Sequence, residues 1–285
     1  MFTLSAFADE ISHDPREQIA VLKASRVRFI EFRSIYKTNV LALSEEQIKE
    51  FKKLIDGEGI GLSAIGSPIG KYPIDQPFEP HYDKFKRAIE LCGVFGTKGV
   101  RVFSFYPPGN DPKFDPANWP NYRDEVLIRL AAMAELAAKS GVVLFHENEH
   151  RIYGDSPDRV ADILKSVNSP ALRAAYDAAN YAYGNFDPVE GWEKTKAYTA
   201  HFHIKDWKTG GHAAGHDYGV IAGTGDGQIA HSIKGAVAMG YKGYAVMEPH
   251  LRGGGPTGGI TGPDLFPYAV EAFRNILRDC GGTEG

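Results

Sequence analysis

Short apolar runs, rich in β-branched and aromatic residues, alternate along the whole chain with longer amphipathic stretches. The runs predicted as strands are residues 3–8, 27–33, 61–67, 99–105, 142–147, 173–177, 200–205 and 244–248. Several are apolar on both faces, such as Val-Val-Leu-Phe at 142–145, which is typical of parallel strands buried on both sides. This alternation predicts a parallel sheet wrapped by helices.

Side-chain caps and glycines mark the predicted helix boundaries. Side chains that can accept a hydrogen bond precede the first turns of four predicted helices, at Asp14, Ser44, Ser156 and Asp187. A glycine follows four helical patterns, at Gly57, Gly96, Gly141 and Gly240. Eight strand–helix units close a (β/α)₈ TIM barrel, and no linker or low-complexity segment divides the chain. We therefore predict an α/β fold with one barrel domain over residues 1–285. A doubly wound open sheet is the alternative, but no glycine-rich turn follows the first strand.

The connections from strand to helix are longer than those from helix to strand. Long connections are 68–80, 106–121, 207–226 and 249–263, whereas 57–60 and 140–141 are short. Because parallel strands all point the same way, the long loops gather at the C-terminal mouth of the barrel, where enzymes of this architecture carry out their chemistry. Functional residues are therefore expected at strand ends.

Composition narrows the classes of partner. With 32 Lys and Arg against 36 Asp and Glu, the formal charge of -4 supplies no positive field for nucleic acid. Cys92 and Cys280 are far apart and predict neither a disulfide framework nor a thiolate metal site. The start lacks a basic leader and no apolar run approaches the ~20 residues of a membrane span, so we predict a cytoplasmic protein without a membrane partner. A homo-oligomer is possible, although no interface is evident.

The last four predicted strands end in acids and histidines. Their ends are HENEH from residue 146, YDAAN from 176, HFHIKD from 201 and MEPH from 247. Charged groups brought together by barrel closure repel one another unless a cation compensates them. One acid or imidazole from each strand supplies three oxygens and one nitrogen, which suits one divalent ion, Mn²⁺ before Mg²⁺, Co²⁺ or Zn²⁺. Such an ion stabilises an enediolate while two carboxylates transfer protons.

These motifs also resemble a known family. LFHENE, YDAAN, HFHIKD and VMEPH, in this order, resemble the sugar phosphate isomerase/epimerase-like proteins of the xylose isomerase-type TIM barrel superfamily, over nearly the whole chain. The resemblance implies a carbohydrate substrate and the metal ligands Glu147, Asp177, His203 and Glu248. It further implies that Glu147 and Glu248 form the acid/base pair and that Lys205 contacts a substrate oxygen. We therefore predict a divalent-metal-dependent isomerase or epimerase of a sugar, keto-sugar or sugar phosphate.

Departures from the family leave other functions open. Ketose 3-epimerases of this group carry a Glu, a His and an Arg where this chain has Tyr153, Asn180 and Thr209. Their free-ketose binding pocket is therefore not expected in this chain. The nearest alternative is a metal-dependent lyase or hydratase of a keto-sugar or keto-inositol, with His146 as the base for β-elimination. A non-catalytic sugar-binding barrel subunit is another. A phosphodiesterase acting at abasic DNA ranks last, because additional metal ligands and a basic groove are missing from the sequence.

Several residues near the strand ends remain candidates for substrate contacts. Asn180, His201 and Trp207 are predicted to bind substrate, although His146 and His201 could instead face the wall between strand and helix. Glu31, Glu149 and Arg151 are secondary candidates. The glycine-rich segment 223–227 could hold an anion such as phosphate or simply form a tight loop. His212 and His216 lie in a loop that could cover the mouth, and we assign them no ligand role.

Overall fold

Eight parallel strands close a barrel in the computed structural model, which describes residues 1–210, 218–254 and 258–285. The strands, numbered β1 to β8, are Phe2–Ala6, Phe29–Phe32, Gly61–Ile65, Gly99–Val102, Val143–Glu147, Leu172–Asp177, Thr199–Ile204 and Gly243–Met247. Each strand pairs with the next along the chain, and β8 pairs with β1. The predicted (β/α)₈ barrel and all eight predicted strands are confirmed, with strand ends displaced by a few residues.

Helices surround the barrel. Those of the described residues, numbered α1 to α9, are Pro15–Ala24, Glu45–Glu58, Glu79–Phe95, Arg123–Lys139, Pro157–Val167, Ala178–Tyr183, Pro188–Thr195, Ile229–Ala238 and Phe266–Asp279. The four predicted caps are confirmed, since the side chains of Asp14, Ser44, Ser156 and Asp187 each accept a hydrogen bond from a first-turn amide. Within the described segments, no helix is long and apolar enough to cross a membrane.

One predicted helix end is wrong. Gly57 lies inside α2, which ends instead at Gly59 in the left-handed conformation, with φ 67°. With the helix ending at Gly59, the chain turns back so that Ile60 enters the core. The Ile60 amide donates to the Ile55 carbonyl at 2.9 Å, and both isoleucines are buried. The apolar core fills the space between sheet and helices, where Phe32 of β2 stacks on Phe51 of α2 with centroids 4.4 Å apart.

The long loops all follow strands, as predicted, and they collect at the C-terminal mouth. Two short antiparallel strands, Ser34–Ile35 and Thr38–Asn39, extend the loop after β2. The loop after β3 packs directly on the chain that follows β4, and a Cβ at Gly70 would lie 2.0 Å from the Phe103 carbonyl oxygen. Glycine is therefore required at position 70, where φ is 92°. His212 and His216 lie outside the described residues.

Candidate metal centre

Four consecutive strands carry the predicted metal ligands to one place. Glu147 and Asp177 end β5 and β6, His203 lies one residue before the end of β7, and Glu248 follows β8 directly. The parallel register sets Asp177 opposite His203. One ligand atom from each of the four side chains lies within 4.8 Å of the others, and all four residues are at most 3% exposed. Barrel closure thus brings together the acids and the imidazole that the sequence separates.

His203 is the centre of this group. Its Nδ1 lies 3.0 Å from Oε1 of Glu147 and 3.5 Å from Oε2 of Glu248. Its Nε2 points the other way and lies 3.3 Å from Oε2 of Glu31. The imidazole therefore presents one nitrogen to the predicted ligands and the other to a further buried carboxylate.

The donor set fits a divalent cation. Within the described residues, three buried atoms of the group have no hydrogen-bond partner of good geometry: Nδ1 of His203, Oδ2 of Asp177 and Oε2 of Glu248. Buried polar atoms are rarely left in this state, because each costs about 1–3 kcal/mol. Carboxylate oxygens with one imidazole nitrogen are ligands that Mn²⁺, Mg²⁺ and related ions accept. Acid and histidine clusters able to hold a metal are thus present, as expected.

Three buried cations contact the same acids. Lys205 Nζ lies 3.0 Å from Oδ2 of Asp177. The guanidinium of Arg33 lies 2.8 Å from Oε1 of Glu248, and that of Arg101 lies 3.2 Å from Oε2 of Glu147. Neither arginine is among the site residues predicted from the sequence. A feature of the sequence could have predicted them: each is a charged residue within or directly after an apolar strand. A charge buried there needs a partner, because an unpaired buried charge is too costly.

These contacts decide the ionisation of the acids. Burial alone raises the pKa of Glu147, but His203 and Arg101 outweigh it and hold that pKa below its usual value. Burial likewise opposes ionisation of Glu248, and Lys205, His250 and Arg33 bring its pKa well below the usual range. Asp177 differs. Its pKa is raised to about 6, because burial and the neighbouring acids outweigh Lys205. Two carboxylates of the group are therefore ionised at neutral pH and the third titrates close to it.

Glu10 and His250 form a further group with Glu248. Nε2 of His250 lies 3.2 Å from Oε1 of Glu10 and 3.4 Å from Oε1 of Glu248. Burial lowers the pKa of His250, but Glu10 and the hydrogen bonds outweigh this and raise it to about 9. Glu10 also accepts from the backbone amide of His250 and from the hydroxyl of Thr261. The carboxylate thereby ties the loop after β8 to the end of β1.

A pocket with a volume of about 320 Å³ opens beside the group. It is lined by Lys71, Tyr106, Glu149, His150, Arg151, Asn180, Tyr183, Lys205, Trp207 and His250. Three predicted substrate-binding residues, Lys205, Asn180 and Trp207, are among them. Asn180 donates to Oε1 of Glu147 at 3.3 Å, and the Trp207 ring packs edge-on against Tyr183 with centroids 5.4 Å apart. The pocket therefore joins a polar end at the acids to an aromatic wall suited to a sugar ring.

Two predicted histidines lie apart from the pocket lining. His201 is fully buried, stacks on Phe145 with centroids 4.3 Å apart and has Nε2 2.6 Å from Glu31. His146 alternates with Glu147 along β5 and lies against Gly154, where an added Cβ would meet its Cε1 at 2.5 Å. Burial lowers the pKa of His146 to about 4. His146 is therefore a neutral side chain outside the three acid and histidine groups of the described residues.

The glycine-rich segment 223–227 surrounds an anion supplied by the chain itself. The backbone amides of Gly223, Gly225 and Gly227 each donate to the carboxylate of Asp206, at 2.8, 2.9 and 2.9 Å. The Trp207 amide donates to the same side chain at 2.9 Å. These amides are used for a tight loop, so an external phosphate is excluded from them in this conformation.

The positions that depart from the ketose 3-epimerase pattern have different surroundings. Tyr153 donates its hydroxyl to Asp162 at 2.7 Å, and the Thr209 amide donates to Asp226 at 2.7 Å. Asn180, the third such position, lines the pocket. Of the three, only Asn180 therefore lines this pocket.

Solved structures with the same fold include proteins of several activities. A probable 3-DHS dehydratase from Bacillus anthracis is 16% identical, with a TM-score of 0.72 over 96% of this chain and 98% of that one. The 3-keto-D-glucoside 4-epimerase of E. coli is 15% identical, with a TM-score of 0.69 over 98% and 100%. A xylose isomerase-like TIM barrel protein from Mycobacterium smegmatis in complex with magnesium is 19% identical, with a TM-score of 0.71 over 98% and 96%. At these identities the likeness establishes the fold alone.

Comparison with families assigns the chain more directly. No curated protein matches it significantly. The family model described as xylose isomerase-like TIM barrel matches residues 19–276, which is most of the chain. The resemblance read from the strand-end motifs is confirmed at this level. The chain belongs to the xylose isomerase-like TIM barrel family.

Proposed function

We propose that this protein is an enzyme, a divalent-metal-dependent isomerase or epimerase of a sugar or keto-sugar. The observation that carries the proposal is the convergence of Glu147, Asp177, His203 and Glu248, with three buried ligand atoms lacking hydrogen bonds. The group lies behind pocket residues that contact it, since Asn180 bonds Glu147 and Lys205 pairs with Asp177. The epimerase among the solved structures of this fold supports the same reaction class. These four residues would hold the ion.

The ion would polarise a substrate carbonyl and stabilise the enediolate that forms when a neighbouring carbon loses its proton. Glu147 and Glu248 would move the protons. Both are ionised at neutral pH, and they reach the same imidazole from different strands. One carboxylate removes a proton from one face of the substrate, and the other, after taking up a proton from solvent, donates that proton to the opposite face. This pairing inverts a carbon without any other cofactor.

The pocket residues would orient the substrate. Lys205 contacts Asp177 and Glu248 from the pocket side and is charged, because these acids outweigh burial and raise its pKa. Its ammonium would donate to a substrate oxygen near the reacting carbon. Asn180 would bind a hydroxyl, and Trp207 would cover an apolar face of the ring. We propose Mn²⁺ as the ion, because three oxygens with one nitrogen suit it better than the harder Mg²⁺.

A panel of keto-sugars tests the reaction. The protein would be incubated with Mn²⁺ and each sugar in D₂O, and the products analysed by mass spectrometry and NMR. Isomerisation or epimerisation adds solvent deuterium at one carbon without other change in composition. Failure of Mn²⁺ to bind, or binding of sugars without deuterium uptake, would refute the proposal and favour a non-catalytic sugar-binding barrel.

A lyase or hydratase is the second candidate, supported by the probable dehydratase of the same fold. The same experiment separates the two, since elimination changes the product mass by a water or an aglycone. His146, the base that the sequence suggests for this reaction, packs against Gly154 and away from the four ligands. We therefore assign proton removal in this alternative also to Glu147 or Glu248.

A further inference from the structure

A buried carboxylate outside the predicted ligand set lies against the candidate metal centre. Glu31 of β2 is 0% exposed, and its Oε2 lies 2.6 Å from Nε2 of His201 and 3.3 Å from Nε2 of His203. Both histidines belong to β7, so the contact crosses the barrel interior. Fully buried glutamates are rare unless they are paired, and here the two imidazoles supply the partners.

The hydrogen-bond chemistry fixes the direction of these contacts. An ionised carboxylate only accepts, so the Nε2 atom of each histidine must carry the proton that it shares with Glu31. A neutral imidazole has one protonated and one unprotonated nitrogen. A metal ion binds only an unprotonated nitrogen, so with the Nε2 proton held by Glu31 the lone pair that His203 can offer to a cation is that of Nδ1, the atom that lies 3.0 Å from Glu147. The lone pair faces the group of four ligands.

Neighbouring side chains hold both partners in place. The ring of His203 packs edge-on against Phe7, with centroids 5.1 Å apart. Arg101 lies between the two carboxylates, with Nε 4.0 Å from Oε1 of Glu31 and Nη1 3.2 Å from Oε2 of Glu147. Neither Glu31 nor His203 can rotate freely in this packing.

We propose that Glu31 is a positioning residue for the metal centre: it binds the Nε2 proton of His203, fixes that tautomer and directs Nδ1 at the ion. His201 is the second donor that holds Glu31 in this orientation. The inference rests on the proposed metal-dependent function. Carboxylate partners of metal-binding histidines generally set ring orientation and basicity, and their loss weakens metal affinity about 10–100-fold.

The test compares the Mn²⁺ affinity of the wild type with that of Glu31→Gln, measured by calorimetry and by the EPR signal of free Mn²⁺. We expect Glu31→Gln to bind Mn²⁺ about 10–100-fold more weakly while its circular dichroism stays that of the wild type. The control is Asp162→Asn, which removes a half-buried carboxylate that contacts Arg123 and Tyr153 and belongs to none of the three acid and histidine groups of the described residues. We expect the control to lose much less affinity than Glu31→Gln.

A measurement on the wild type covers the case in which Glu31→Gln does not fold. With ¹⁵N-labelled histidine and diamagnetic Zn²⁺ bound, NMR should show the His203 proton on Nε2 and the zinc-induced shift on Nδ1. The opposite assignment overturns the inference, as does a folded Glu31→Gln that binds Mn²⁺ like the wild type. A wild type that binds no metal overturns the proposed function together with the inference, whereas the other two results leave that function standing.

Discussion

The two halves of the barrel contribute opposite charges to the same site. Strands β5 to β8 carry the four predicted ligands, three of which are acids. The first half brings two buried guanidiniums, Arg33 after β2 and Arg101 in β4, which contact Glu248 and Glu147. Both guanidiniums lie over the ring of Phe7, at 4.3 and 4.7 Å from its centroid.

This difference shows how a cluster of acids persists inside a barrel. Glu147 and Glu248 keep low pKa values because cations and histidines outweigh the burial that opposes their ionisation, whereas the pKa of Asp177 is raised to about 6. The first half of the barrel shows no strand-end motif of acids and histidines in the sequence. Its arginines nevertheless help to keep the acids Glu147 and Glu248 of the second half ionised. A divalent ion would add to this compensation without being its only source.

The largest expected effect comes from the acids of the second half. Glu147→Gln and Glu248→Gln should each reduce deuterium exchange into substrate by about 10²–10⁴-fold or more, because a neutral amide cannot transfer the proton. NMR in D₂O measures the exchange, and circular dichroism checks the fold. Glu190→Gln, on the exposed surface of α7, should exchange like the wild type. Exchange retained in either active-site variant would reject the role given to that residue.

The next effect concerns the compensating cations of the first half. Arg33→Met should lower the free energy of unfolding of the metal-free protein by about 3–5 kcal/mol, because it removes the buried guanidinium that contacts both Asp9 and Glu248. Urea denaturation measures the change. Arg123→Met removes an arginine whose pair with Asp162 is partly exposed, and it should cost about 1 kcal/mol or less. Equal losses in the two variants would contradict the assigned role of the first half.

The smallest effect contrasts one histidine from each half. His81 accepts a hydrogen bond from the Gly70 amide at 2.8 Å, and burial, followed by Lys84 and Arg129, lowers its pKa to about 4. The pKa of His203 is raised well above its ordinary value, because Glu147 and Glu31 outweigh burial. Protonation therefore opposes folding at His81 but not at His203.

The pH dependence of stability follows from the direction in which folding shifts the pKa of His81, which is downward. The unfolded chain takes up the His81 proton near pH 6.5 and the folded chain only near pH 4. The contribution of His81 is thus complete above pH 6.5 and is lost as the pH falls toward 4, by at most about 1.4 kcal/mol per pH unit. His81→Gln retains an acceptor for Gly70 and should reduce the slope of the unfolding free energy between pH 4 and 6.5, where His146 supplies a further part of that slope. An unchanged slope would show that His81 is not the titrating group.

Much of the fold follows from local patterns in the sequence. The eight strands and the caps at Asp14, Ser44, Ser156 and Asp187 depend on residue alternation and nearest neighbours, which a sequence displays directly. The candidate metal ligands could be identified from the sequence for the same reason, since each stands at the end of an apolar run. The error at Gly57 arose because two nearby glycines offer the same local signal, and the packing of Ile55 and Ile60 selects Gly59.

The surroundings of the site were decided by the tertiary structure. Arg33 contacts Glu248 across 215 positions of sequence, and Glu31 contacts His203 across 172. No local pattern encodes such pairs, because only barrel closure pairs β8 with β1 and sets β2 across the interior from β7. The sequence by itself determined which acids and histidines stand at the strand ends. The closed sheet decided which charges surround them, because electrostatic energies depend on distance in space rather than along the chain.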